Sequence, residues 1–83
     1  YFIDTYAYIL FRKGQYEAAN DELVKALELA DEPNADLYEH YGNVQFKLGE
    51  KNKAIKYWNM AKEAGGESSI LIKKIREEKY IEE

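Results

Sequence analysis

His40 is the only histidine of the chain, and cysteine is absent. Together these residue types supply most general bases, nucleophiles and thiolate ligands. Without cysteine there is no disulfide scaffold, no thiolate zinc site and no cysteine nucleophile. The carboxylates near His40 are Asp36 and Glu39, its own neighbours in sequence, and no second histidine completes a metal pair or a triad. His40 therefore reads as a surface or groove residue. Ser68 and Ser69 stand just after a glycine pair and read as the N-cap of a last helix rather than as nucleophiles. The lysines Lys47, Lys51, Lys53 and Lys56 gather across one turn, but acids intersperse them, so the cluster reads as a solvated face. No acid–base pair with a roofed pocket emerges, and neither an enzyme nor a cofactor is expected.

With 83 residues, 46% of them hydrophobic and 34% charged, the chain has enough material for one small domain. The net charge of −4 is unevenly spread: residues 1–34 hold three basic and seven acidic side chains, whereas 35–68 hold five of each and 69–83 four of each. Nothing forms the basic stripe that a phosphate backbone requires, which argues against nucleic acid. No apolar run approaches the roughly 18 residues needed to cross a bilayer, and the first residues lack the pattern of a signal peptide. The chain opens at Tyr1 without Met, inside an apolar pattern and without a cap before it. It is expected to be a piece of a longer protein.

Sliding the sequence over itself by 35 positions exposes a repeat. Seven identities appear: Tyr6/Tyr41, Phe11/Phe46, Gly14/Gly49, Ala19/Ala54, Ala26/Ala61, Glu28/Glu63 and Glu32/Glu67. Chance supplies about two in such a window. Similar pairs add to them, among them Ile3/Tyr38, Ile9/Val44, Arg12/Lys47 and Leu23/Trp58. Spacing inside each unit is helical, as in Tyr38, Tyr41 and Gln45 or Ala54, Trp58 and Ala61. Gly14 and Gly49 interrupt the two units at the same place, Gly14 directly after Lys13 and Gly49 one position removed from Lys47, and read as helix stops. Asp31-Glu32-Pro33-Asn34 and Gly65-Gly66-Glu67-Ser68 break the chain between units. The spacing predicts five helices, at about 1–13, 16–30, 35–48, 51–64 and 69–81, and no strands.

These residues resemble a tetratricopeptide repeat. The second unit matches the family's bulky, small and aromatic positions with Tyr38, Tyr41, Gly42, Gly49, Ala54, Trp58 and Ala61. The first matches with Ile3, Tyr6, Ala7, Leu10, Gly14, Tyr16, Ala19, Leu23 and Ala26. Departures are Gln45 and Lys51 in place of the usual residues, a late Pro33 and a unit lengthened to 35. The run YGNVQFKLGEKNKAIKYWNMAKEAGG and the closing REEKYIEE are similar to the C-terminal end of long bacterial tetratricopeptide proteins. The resemblance implies an all-α chain of antiparallel helix-turn-helix units stacked as a right-handed superhelix. The implied units are 1–34 and 35–68, with a capping helix at 69–83. In that last helix Ile72 and Ile75 are expected to pack inward, with Lys73, Lys74, Arg76, Glu77, Glu78 and Lys79 facing water.

The same resemblance implies a role in binding proteins. First helices of such units line a concave groove, which here would be formed by Asp4, Tyr8, Phe11 and Arg12, then Glu39, Asn43, Phe46 and Lys47. Each set recurs at i, i+4, i+7 and i+8, one helical face. Aromatics between charges of both signs suit an extended peptide or a partner's helix. Family members that hold acidic chaperone tails place lysine where this chain has Asp4 and Glu39, so a carboxylate would meet like charge. Two readings follow: a protein-interaction and scaffold module that binds through the groove, or a structural C-terminal cap of a longer solenoid. A homodimer through the exposed face of the first unit is a further expectation, because two and a half units bury less than the three or so that normally suffice.

Overall fold

The computed structural model describes residues 2–31, 33–66 and 69–80, with Phe2–Thr5 as backbone alone. Five helices follow one another: α1 Phe2–Arg12, α2 Tyr16–Leu29, α3 Ala35–Lys47, α4 Lys51–Glu63 and α5 Ser69–Glu77. No strand occurs among the described residues. The fold is all-α. Helices adjacent in sequence pack on one another, and α1 also touches α3.

The helix ends follow from a hydrogen bond used four times. Gly14 and Gly49 adopt φ of +82° and +88°, and the amides just beyond them, of Gln15 and Glu50, donate to Leu10 O and Gln45 O at 2.9 and 2.8 Å. This is a Schellman closure, in which a left-handed residue turns the chain and satisfies carbonyls of the last turn. Gly65 ends α4 in the same way, with Gly66 N donating to Ala61 O at 2.9 Å. The fourth closure is Lys79 N to Lys74 O at 3.2 Å, and there the left-handed residue is Glu78, at φ 54°. It stops α5 at Glu77, short of the expected 81, a position outside the described residues. A side chain in the left-handed region costs about 1–2 kcal/mol, and the exposed Glu78–Lys51 pair at 3.8 Å offsets little of that. Glu78→Gly is therefore expected to stabilise the chain by about 1 kcal/mol in urea denaturation. An unchanged midpoint would show that the closure is not formed in solution.

Helix starts are less uniform. Asn34 caps α3, its Oδ1 accepting from Leu37 N at 2.8 Å. Gln15 and Glu50 begin α2 and α4 without a side-chain cap. Of the two serines expected to cap α5, Ser69 is its first helical residue, and Ser68 lies outside the described residues.

Two apolar clusters hold the helices. One joins Ala7, Leu10 and Phe11 of α1 to Ala19 and Leu23 of α2 and to Leu37, Tyr41 and Val44 of α3. The other joins Ala54, Trp58 and Ala61 of α4 to Leu71 of α5. Small residues set the approach distances. A methyl group on Gly42 would come within 2.6 Å of the Trp58 ring and 3.1 Å of Ala54 O, so α3 and α4 meet this closely only through glycine. Between α2 and α3 a polar tie, Gln45 Nε2 donating to Asn20 Oδ1, fixes the register. The radius of gyration, 11.4 Å, is near the roughly 12 Å expected of a packed domain of this length.

Candidate functional site

The expected groove residues come from α1 and α3, whose last turns end in Arg12 and Lys47, next to the two glycine stops. On α3 the groove face is largely covered. Glu39 and Asn43, one helical turn apart, are buried, and both turn their polar atoms toward Lys74 of α5. Lys74 Nζ donates to Glu39 Oε2 at 2.8 Å and to Asn43 Oδ1 at 3.0 Å. The Lys74 side chain has no exposed surface. Trp58 Nε1 donates to the same Asn43 oxygen at 3.0 Å. That donor fixes the amide orientation, so its oxygen faces Lys74. No buried side-chain nitrogen or oxygen among the described residues lacks a hydrogen-bond partner, as a polar network inside a small core requires.

Tyr80 completes the cover. The turn at Glu78 returns the chain across the first helices, and the Tyr80 ring meets Phe11 edge-on, at 5.6 Å and 70°. Lys47 Nζ lies 4.7 Å from its centroid and Lys74 Nζ 5.2 Å, both within cation–π range. Phe11 also packs on Tyr16 at 5.4 Å, and Phe46 stacks on Trp58 at 5.8 Å. A shallow cleft remains between Phe11, Arg12, Tyr16, Lys47 and Tyr80.

The eight expected groove residues therefore divide. Glu39 and Asn43 are internal and engaged by Lys74, Phe11 is buried against Tyr80, and Phe46 is half-buried on Trp58. Arg12 and Lys47 are exposed at the open cleft. Tyr8 is exposed and lies over His40, ring centroids 5.5 Å apart. The Asp4 side chain lies outside the described residues.

The last helix corrects the reading of its faces. Leu71 and Lys74 are buried, Ile75 is half-buried, and Ile72 is exposed. The sequence places Lys74 among the water-facing charges and Ile72 among the packed residues, and the structure reverses both. The helix is rotated because the acceptors on Glu39 and Asn43 give an ammonium an interior place that an isoleucine cannot use. Leu71, Lys74 and Ile75 stand at i, i+3 and i+4, so the spacing itself allowed this face. Nothing in the spacing marks Tyr80 or the Trp58 indole N–H as part of this site.

His40 is half-buried beneath Tyr8. Among the described residues no three His, Cys, Asp or Glu side chains gather as a metal site would require, and no helix is long and apolar enough to cross a membrane. The chain matches no protein-family model, no curated protein and no solved structure.

Proposed function

We propose that this chain is a protein-interaction and scaffold module of two tetratricopeptide-like units and a capping helix, and that it docks to its neighbour through the outer face of α1. One observation carries the reading. Tyr6 and Tyr41 occupy the same place in the two units, as do Ile9 and Val44. Tyr41 and Val44 are 7% and 1% exposed, packed in the cluster that holds Ala19 and Leu23 of α2. Tyr6 and Ile9 are 52% and 46% exposed. The first unit thus presents the surface with which the second unit meets α2, although Tyr41 also packs edge-on against Tyr57 of α4 at 4.5 Å, and the neighbour it fits is a helix resembling α2. In a stacked array each unit is stabilised by such nearest-neighbour contacts.

The reading in which the groove takes a peptide along both units has less support on α3, where Lys74 already engages Glu39 and Asn43. The scaffold and cap reading is the one favoured by the unequal burial.

Repeating residues 1–35 ahead of Tyr1 places a second α2 where α1 can receive it. Covering Tyr6 and Ile9 contributes about 1–2 kcal/mol each, so the melting temperature is expected to rise by about 10 °C. Ile9→Glu in the original unit should abolish the gain while leaving the 83-residue chain nearly unchanged. No rise, or a rise indifferent to Ile9→Glu, would contradict the proposal. A concentration-dependent dimer of the 83-residue chain, broken by Ile9→Glu, would instead make a second copy the neighbour.

A further inference from the structure

We propose that Leu10 sets which neighbour the outer face of α1 admits: a helix carrying an aliphatic side chain, as α4 does with Ile55, at the place where α2 carries Asn20. The inference rests on the docking reading above and names the chemistry of the partner.

The two first helices present the same face with one difference of kind. Tyr6, Ile9 and Leu10 stand at i, i+3 and i+4 on α1, as Tyr41, Val44 and Gln45 do on α3. Where α3 meets α2, Gln45 is 2% exposed and its amide donates to Asn20 Oδ1. That bond gives the buried amide a partner and sets which residues of the two helices lie opposite one another. Leu10 occupies the equivalent place on α1 and has no polar side-chain atom to offer. A neighbour seated in the register of α2 would set its own asparagine amide against this leucine, drawing it partly out of water without a partner. An aliphatic side chain loses nothing there.

The chain itself holds a helix of the required kind. Ile55 of α4 is the equivalent of Asn20, and it packs, half-buried, on the cluster of Ala54, Trp58, Ala61 and Leu71. Second helices of these units therefore accept either residue, and what they meet decides between them: an amide opposite Gln45, an aliphatic group among apolar side chains. Leu10 belongs to the second case, since it lies in the cluster with Ala7, Phe11 and Leu23. The order of units is then specified. A second helix like α2 suits Gln45 of α3, whereas α1 discriminates against it by leaving its amide unpaired.

Thermal unfolding followed by circular dichroism tests this on the chain lengthened by a repeat of residues 1–35. Asn20→Ile in the added copy is expected to raise the melting temperature at least about 5 °C beyond the rise that the unaltered copy gives. With Leu10→Gln in the original unit the order should reverse, the unaltered copy now giving the larger rise, which a mere gain in helix propensity would not produce. Equal rises from both copies, or the same order in both backgrounds, would overturn the role of Leu10 while leaving docking at Tyr6 and Ile9 standing. No rise from either copy would overturn both. Should Leu10→Gln prevent folding, the contact of α2 with α3 in the 83-residue chain decides. There Asn20→Ile is expected to lower the melting temperature by roughly 5–15 °C by stranding the Gln45 amide, and the pair Asn20→Ile, Gln45→Leu to recover most of the loss. A single change without cost, or a paired change no better than the single one, would overturn the proposal.

Discussion

Replacing Lys74 with alanine is expected to destabilise the chain by about 3–5 kcal/mol, the cost of leaving a buried carboxylate without its partner. Glu39 is 35 residues away in sequence and accepts from Lys74 at 2.8 Å, while Asn43 loses one of its two donors. Domains of this length hold about 4–12 kcal/mol in total, so the single change removes a large share. The paired change Glu39→Leu, Lys74→Met removes both charges and fills similar volume. It is expected to fall within about 1 kcal/mol of the unaltered chain or above it. Urea denaturation followed by far-ultraviolet circular dichroism measures both. A Lys74→Ala chain as stable as the original would mean that Lys74 faces water in solution.

Trp58→Ala is expected to cost a similar 3–5 kcal/mol, by a different route. The ring is completely buried, lies against the Gly42 backbone, stacks on Phe46 and donates to Asn43. Alanine would leave a cavity between α3 and α4 and free the Asn43 amide to rotate away from Lys74. Trp58→Phe keeps most of the volume and loses only the N–H, at about 1–2 kcal/mol. Leu29→Ala, at a side chain 75% exposed, should change stability by less than about 0.5 kcal/mol. A phenylalanine variant as damaged as the alanine one would show that the hydrogen bond, not the packing, dominates the site.

Much of this architecture could be read from the residues because it is local. Glycine at the ends of α1, α3 and α4 marks a left-handed closure whatever the rest of the chain does, so those ends fell within two residues of expectation. The buried alanines Ala19, Ala54 and Ala61 announced where helices approach. What depended on distant partners was not readable. Lysine is ordinarily a surface residue, and nothing near Lys74 in sequence indicates that acceptors on α3 await it. Tyr80 was overlooked for the same reason: its contacts lie on α1, α3 and α5, and only the turn at Glu78 directs it there. The groove follows from the family resemblance, and its residues share a face by their spacing. Spacing identifies a face but not what covers it, and on α3 the chain's own last helix does.

The comparison of equivalent residues in the two units is open to one direct measurement, tyrosine-selective covalent footprinting read by mass spectrometry. In the 83-residue chain at low concentration, Tyr6 is expected to react rapidly and Tyr41 to be protected. In the chain lengthened by a repeat of residues 1–35, the original Tyr6 is expected to become as protected as Tyr41. Protection of Tyr6 in the monomeric 83-residue chain, or undiminished reactivity in the lengthened one, would contradict the account of α1 as a docking face.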